Sequence, residues 1–363
     1  MCDKMTRDIP EYIIPYFDEA SQFQHYYEYE NSIKLGRDIE DRFICLKGFS
    51  SSTPIINSAA FGRECLGGGF YFRFKGHGIA VDPGIGFTSL MHKNGIFIDD
   101  IDTVIVTHSH LDHNSDVGVL SALKYDYNKS MGREREFFEK FFQCNSRADH
   151  KIKWYMDEET IRATQSILGE DEVHALSECC DGNVIKLNEN IELRSIKTKH
   201  IKDSDKTYGI KLSFASEKSI YQWGYTSDTK FFEELGEFFR DVTVLLFNIS
   251  DIYRSDVEGR KAKPNHLGFD GSVHLLKDSK AQIALASEFC CTNGDYRYEI
   301  IKALREYSKV KVLPTDPGMT MDIMGDYMKC SLCGNNVPID SARTVHPKEE
   351  YGSIQYICQD CLL

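Results

Sequence analysis

The chain has 363 residues, of which 41% are hydrophobic and 27% are charged, with only 9 prolines. This composition excludes wholesale disorder, collagen and low-complexity polymers. The 43 basic and 56 acidic side chains give a net charge of −13, which disfavours a general nucleic-acid coat. Residues 1–12 hold no apolar signal core, and the longest apolar run, at 242–249, is only strand-sized. We therefore expect a cytoplasmic protein that does not enter a membrane.

The predicted elements form one large domain between two smaller segments. Residues 1–42 are aromatic and acidic with a loose helical period, which predicts a helical N-terminal elaboration. From 43 to 325, short β-branched runs alternate with helix-like stretches, as is typical of a layered α/β domain with its chemistry at the strand ends. Residues 114–199 are its largest insertion, predicted as a surface helical elaboration, with a substrate lid or a dimer arm as alternatives.

The strongest signal is the run Thr-His-Ser-His-Leu-Asp-His at 107–113, which directly follows an apolar strand. A loop that leaves a strand can aim His108 and His110 at one point, and Asp112 and His113 at a second point nearby. Imidazole nitrogen and carboxylate oxygen suit Zn²⁺, so the spacing predicts two adjacent metal ions. Whether Mn²⁺ or Fe replaces Zn²⁺ is left open.

Later predicted strand ends supply three further candidate ligands, His200, Asp228 and His266. Taken singly, a His or Asp after a strand is more often a cap or a surface group. Their order after the first motif, with Asp82 in Gly-Ile-Ala-Val-Asp-Pro-Gly before it, resembles the metallo-β-lactamase superfamily over roughly residues 43–325.

This resemblance implies an αββα sandwich with a dinuclear metal site at the sheet edge. The first metal would be held by three residues, His108, His110 and His200. The second would be held by three others, Asp112, His113 and His266. Asp228 would bridge the two ions, and Asp82 would orient the ligands from behind.

Two departures from the superfamily narrow the branch. True β-lactamases place a cysteine where this chain has Asp228, and only 37 residues separate Asp228 from His266, too few for the inserted domain of the β-CASP enzymes. The sequence therefore resembles the ribonuclease Z and cyclic phosphodiesterase branch. The basic, glycine-rich arm with which ribonuclease Z recruits precursor tRNA has no counterpart, so a small nucleotide or phosphodiester is the expected substrate, with short RNA left open.

Two Cys-x-x-Cys pairs, Cys330 with Cys333 and Cys358 with Cys361, are separated by 24 residues near the end of the chain. This spacing predicts a zinc ribbon over 326–363, in which four thiolates close the shell of one structural Zn²⁺. Two disulfides or a redox pair are the alternatives. The segment has no basic face, so we expect it to cap the enzyme or to form a homodimer rather than to bind DNA.

The reaction that these residues indicate is metal-assisted hydrolysis of a small phosphodiester, with two ions activating a water. Asp112, through the metal water, and Glu288, at the end of the run 281–289, are the candidate acids for the leaving group. Hydrolysis of a lactone or thioester by the same fold is an alternative. A non-catalytic, metal-bound interaction scaffold is a second alternative, although a scaffold has no need of open coordination positions.

Overall fold

Two β-sheets face each other in the computed structural model, and helices pack on both outer faces. The structure describes residues 40–49, 67–142, 151–169, 171–200, 206–249, 265–289, 295–346 and 352–362. The predicted N-terminal elaboration at 1–42 lies outside these residues except for its last three.

The described strands are numbered in chain order. They are β1 (Arg42–Lys47), β2 (Gly67–Phe74), β3 (His77–Val81), β4 (Thr103–Val106), β5 (Lys153–Met156), β6 (Glu172–Ala175), β7 (Ile185–Lys186), β8 (Ile191–Lys197), β9 (Tyr208–Ala215), β10 (Ile220–Tyr225), β11 (Val244–Asn248), β12 (Ile283–Ser287), β13 (Val312–Pro314), β14 (Thr320–Asp322), β15 (Tyr327–Lys329), β16 (Asn336–Pro338), β17 (Arg343–Val345) and β18 (Gln355–Ile357). The described α-helices are α1 (Phe87–Lys93), α2 (Leu111–Asn114), α3 (Val117–Phe142), α4 (Glu158–Leu168), α5 (Glu233–Phe238), α6 (Phe269–Ser279) and α7 (Arg297–Ser308).

Within the described residues, the first sheet has the strand order β16-β15-β14-β1-β2-β3-β4-β5-β6, and the second has the order β13-β12-β11-β10-β9-β8-β7. Strands β17 and β18 form a separate pair. Helices α1, α3 and α4 cover the first sheet, and α5, α6 and α7 cover the second. These four layers confirm the predicted αββα sandwich.

Strand β1 shows why the core strands read as near-continuous apolar runs. Phe43 and Cys45 face the opposite sheet, whereas Ile44 and Leu46 face the helices. Because successive side chains alternate between the two faces of a strand, a sheet that is covered on both faces needs apolar residues at every position. Trp223 of the second sheet packs on Phe43, with ring centroids 4.7 Å apart, and joins the two inner faces.

The directions of the strands gather several carboxyl ends at one edge of the sandwich. Strands β1 and β3 run the same way because each is antiparallel to β2, and β4 is parallel to β3. In the second sheet, β8 and β10 are both antiparallel to β9, and β12 is parallel to β10 through β11. Residues that follow these strands are therefore brought to the same edge.

The segment 114–199 contributes to the layers themselves, which differs from the expected surface elaboration. Strands β5 and β6 continue the first sheet in parallel beyond β4, and Trp154 of β5 is fully buried. Each strand has only four residues, too few for a period of two to stand out in the sequence.

The C-terminal segment is joined to the sandwich by strand pairing. Strand β15 pairs with β14 through Met328 and Met321, and β16 pairs with β15, so this hairpin extends the first sheet. Ile339, Ile354 and Tyr356 also pack into the core between the two sheets. The predicted boundary at 325/326 stays a prediction.

Candidate metal centre

Asp82 fixes the turn that carries the motif at 107–113. It follows β3 with a φ of 50°, in the left-handed region that strains a residue other than glycine. Its buried carboxylate accepts hydrogen bonds from the Thr107 backbone N and Oγ1, both at 2.7 Å, and from the Tyr225 hydroxyl at 3.0 Å. The same carboxylate lies 2.8 Å from His113 Nδ1. Asp82 therefore lies behind the motif, where the resemblance placed an orienting residue.

A first cluster is formed by four residues whose candidate ligand atoms all lie within 4.8 Å of one another, His108, His110, His200 and Asp228. His200 Nε2 is 3.2 Å from His110 Nδ1 and 3.6 Å from Asp228 Oδ2. Tetrahedral Zn²⁺ with bonds of about 2.1 Å places its ligand atoms about 3.4 Å apart. The spacing of the first cluster therefore matches the coordination shell of one divalent ion.

Hydrogen bonds behind the first cluster hold its ligands in place. His200 Nδ1 is 2.8 Å from the carbonyl oxygen of Asn265, and Asn248 Nδ2 donates to Asp228 Oδ1 at 3.0 Å. Such outer contacts fix the tautomer and the direction of metal ligands. Among the described residues, the buried His108 Nε2 has no hydrogen-bond partner, as expected of a nitrogen whose partner is a metal ion.

The charge states of the first cluster also favour a metal. Burial lowers the pKa of His108 well below its ordinary value, with His113 contributing in the same direction, so its imidazole is neutral and able to ligate. Burial raises the pKa of Asp228, but the surrounding histidines, His266 foremost, lower it further, so that it lies well below the ordinary value. The donor set therefore fits a divalent cation.

A second cluster lies beside the first and is formed by three buried residues, Asp112, His113 and Glu288. His113 Nε2 lies 3.4 Å from Asp112 Oδ2 and 3.3 Å from Glu288 Oε1. Asp228 Oδ2 is 3.8 Å from the same nitrogen, so this carboxylate lies between the two clusters, as a bridging residue would. Burial raises the pKa of Asp112, but His113 and Lys47 lower it further, to below its ordinary value.

Lys47 is a member of this region that the sequence interpretation missed. Its side chain is fully buried, and Nζ lies 2.5 Å from Glu288 Oε1 and donates to the Asp112 backbone oxygen at 2.9 Å. Burial lowers the pKa of Lys47, but the Glu288 and Asp112 carboxylates raise it by more, so the amine is an ammonium. A lysine that directly follows the apolar run 43–46 is the signal that was available in the sequence.

His266, which the resemblance assigns to the second metal, packs on His200, with ring centroids 4.6 Å apart. Its Nδ1 is 3.6 Å from Oδ2 of Asp228, the carboxylate that lies between the two clusters. Glu288, named in the sequence only as a candidate acid, is a member of the second cluster. The structure thus gathers the predicted site residues at one edge, and the ion that each would bind stays a prediction.

The four C-terminal cysteines form a third cluster, with candidate ligand atoms within 4.8 Å of one another. Cys333 Sγ and Cys358 Sγ are 3.8 Å apart, and tetrahedral Zn²⁺ with Zn–S bonds of about 2.3 Å also places its sulfurs about 3.8 Å apart. Burial raises the pKa of Cys330, but backbone N–H donors, that of Cys333 foremost, lower it to about 6, which favours the thiolate. The predicted zinc ribbon fits this arrangement.

The sandwich and its metal-binding groups define a metallo-β-lactamase-fold protein. A solved structure with this fold, the protein YhfI from Bacillus subtilis, superposes with a TM-score of 0.57 at 15% identity. The match covers 78% of this chain and 99% of that one. At this identity, the likeness shows the fold.

Residues 57–257, more than half of the chain, match the model of the family described as Anti-Pycsar protein Apyc1, and the chain belongs to that family. It is 39% identical over 49 residues to "cAMP/cGMP-dependent 3′,5′-cAMP/cGMP phosphodiesterase B" of Dictyostelium discoideum, and 36% identical over 86 residues to "Ribonuclease Z" of Thermobifida fusca (strain YX). These matches cover 14% and 23% of this chain, but only 4% and 25% of the two relatives. The predicted ribonuclease Z and phosphodiesterase branch is confirmed.

Crossing a lipid bilayer takes about 20 consecutive, mainly apolar helical residues. Among the described helices, none has both the length and the apolar character that a membrane span requires.

Proposed function

We propose that the protein is a metal-dependent phosphodiesterase that hydrolyses a small nucleotide, with 3′,5′-cyclic nucleotides as the first substrate class to test. The observation that carries the proposal is the shape of the first cluster. His108, His200 and Asp228 are buried, whereas His110 is exposed. The cluster is thus closed towards the protein and open on one side, and an open coordination position is what distinguishes a catalytic metal site from a structural one.

The substrate class is supported by relatives and by charge. The two curated relatives carry the names of a cyclic nucleotide phosphodiesterase and a ribonuclease, and both names denote cleavage of phosphodiesters. The net charge of −13 opposes the approach of a long polyanion. A small phosphodiester, which brings only one or two charges to the metal, fits both observations better than structured RNA.

A divalent ion in the first cluster would act as a Lewis acid on the phosphoryl group and would lower the pKa of a water molecule. The protein's own contribution is to hold the ligands. Asn248 fixes one oxygen of Asp228, which leaves Oδ2 directed at the histidines, and the Asn265 carbonyl fixes the ring of His200. The positions of the ligands are therefore set before the substrate arrives, which lowers the reorganisation needed during the reaction.

The two candidate acids occupy unequal positions. Glu288 is fully buried and forms an ion pair with Lys47, so it has no route to a leaving group. The Asp112 side chain is 9% exposed and lies beside the clusters. Of the two, Asp112 is the nearer to solvent, but despite its burial, His113 and Lys47 hold its pKa below the ordinary value, so it is a carboxylate that accepts a proton from a water rather than giving one to the leaving oxygen.

The test is a hydrolysis assay of the purified, metal-supplemented protein. The panel contains 3′,5′-cyclic nucleotides, 2′,3′-cyclic nucleotides, bis(p-nitrophenyl) phosphate, a short RNA and a set of lactones and thioesters. We expect turnover of at least one cyclic nucleotide, loss of turnover with chelator, and recovery when Zn²⁺ or Mn²⁺ is added. Turnover of lactones or thioesters with none of any phosphodiester would contradict the proposal and favour the ester hydrolase.

A further inference from the structure

The position of Lys47 within the second cluster conflicts with a second divalent ion. Lys47 is the last residue of β1, and its side chain is fully buried. The pairing of β1 with β2 shifts register between Cys45 and Lys47. Such an irregularity changes the direction of a side chain at the end of a strand.

The run of glycines opposite Lys47 allows the backbones to approach closely at this point. A Cβ on Gly68 would lie 2.5 Å from the Leu46 oxygen, and one on Gly69 would lie 2.1 Å from the Asp82 oxygen. Only glycine is compatible with such distances. The backbone at Gly68 and Gly69 is therefore packed tightly between the end of β1 and the end of β3. This packing fixes Lys47 at the edge that carries the metal centre.

The Lys47 ammonium lies among the same atoms that would bind a second metal. Its nitrogen is 2.5 Å from Glu288 Oε1, 3.3 Å from His113 Nε2 and 3.7 Å from Asp112 Oδ2. These are the three residues of the second cluster. A divalent ion bound to the same donors at about 2.0–2.2 Å would lie next to a buried positive charge that water cannot screen.

We propose that Lys47 takes the place of the second metal ion, so that the centre binds one divalent ion, in the first cluster. The ammonium neutralises Glu288 and holds the backbone of Asp112 through a hydrogen bond. This inference concerns metal content and does not depend on which substrate the protein hydrolyses.

The direct test is the number and position of the metals in the wild-type protein. We expect about two zinc ions per chain, one in the first cluster and one among the cysteines, where a dinuclear centre would give about three. Crystals of the zinc-loaded protein would locate the ions by anomalous scattering. An ion within about 2.5 Å of both His113 and Asp112 would overturn the proposal.

A variant tests whether Lys47 is the group that excludes the ion. Lys47→Met keeps a side chain of similar length and removes the charge, and we expect it to bind about one further ion per chain, for a total of about three. Lys153→Met, at an exposed lysine on β5, is the matched control and should stay at two. A folded Lys47→Met protein that binds no further ion would also overturn the proposal. If that variant does not fold, the wild-type metal positions alone decide.

Discussion

The first cluster and the four-cysteine cluster differ in what surrounds their ligands. The ligands of the first cluster follow strands of two large, fully covered sheets, and buried hydrogen bonds hold them. The cysteines lie around a small core of their own, formed by Cys330, Val337, Ile357 and Cys358. In the first case, the fold positions the ligands. In the second, the metal would hold the loops around the cysteines, because so small a core contributes little by itself, whereas strand pairing anchors β15 and β16 to the sandwich.

Among the substitutions that test this difference between the two clusters, we expect the largest effect from replacing the cysteine ligands. Cys330→Ser combined with Cys358→Ser should lose about one zinc per chain and should loosen the chain around the cysteines, because a structural zinc contributes folding free energy directly. Metal analysis and limited proteolysis measure the two changes. Cys179→Ser, which alters a buried thiol outside the cluster, is the control. Equal loss of metal from both sites would show instead that the ribbon is part of the catalytic centre.

The buried link between the ribbon and the sandwich should have the next largest effect. Arg297 is fully buried, forms an ion pair with Asp316 at 2.8 Å and donates to the Gly352 oxygen at 2.7 Å. Arg297→Ala leaves the Asp316 charge buried without this partner, and we expect the free energy of unfolding to fall by about 3–5 kcal/mol. Urea denaturation measures the change.

The matched control for the buried link is the double variant Arg297→Met with Asp316→Asn. It removes the Asp316 charge together with the arginine, whereas Asp295, which also pairs with Arg297 at 2.7 Å, loses this ion pair in both variants. The double variant should therefore be more stable than Arg297→Ala alone. If the free energy of unfolding of Arg297→Ala is within about 1 kcal/mol of that of the parent protein, the ribbon does not depend on this ion pair.

In the first cluster, the expected effect is on activity rather than on folding. His110→Ala should lower kcat/KM by at least about 100-fold, which corresponds to about 2.7 kcal/mol, because the bound metal and its activated water are lost together. Thermal unfolding of the metal-free protein should change little, since His110 is exposed. His174→Ala, on β6, is the control and should keep full activity. Full activity of the His110→Ala variant would show that His110 is not a ligand of the catalytic metal.

The smallest effect is expected at an exposed contact between the ribbon and the sandwich. Lys311 forms an ion pair with Asp340, whose side chain is 94% exposed. Asp340→Asn should leave the melting temperature unchanged within error at ordinary ionic strength, because solvent and salt screen such pairs. A clear drop in melting temperature would show that the surface of the ribbon, and not only its buried link, stabilises the contact.

Much of the centre was predictable because strand direction determines where strand ends meet. His108, Asp228 and Glu288 each follow a strand that runs towards the same edge, and short β-branched, apolar runs had indicated those strands. The paired spacing of the cysteines predicted the third cluster by itself. The fold class and the branch are confirmed, whereas the ligand roles of the individual residues stay predictions.

The parts that the sequence did not reveal depend on backbone geometry and on packing. Glu288 has a φ of 54°, and this left-handed conformation turns it towards His113, which its residue type does not indicate. Lysine is among the residues least often buried, so Lys47 after an apolar strand would ordinarily be expected in solvent. Its position follows from the glycines opposite and from the Glu288 carboxylate, which lies 241 residues further along the chain.

The hairpin of the ribbon also has a consequence for the solubility of the sandwich. Strand β14 pairs with β1 on one side and with β15 on the other. Without residues 326–363, β14 would present a row of unpaired backbone groups, a template on which other chains can add strands and aggregate. In the described sheet, the outermost strand is instead β16, only three residues long and ending in Pro338, whose nitrogen has no hydrogen to donate. Strand β14 is itself only three residues long, so the ribbon does not shorten this edge; it replaces β14 as the outermost strand with one that ends in proline and is less suited to pairing between molecules.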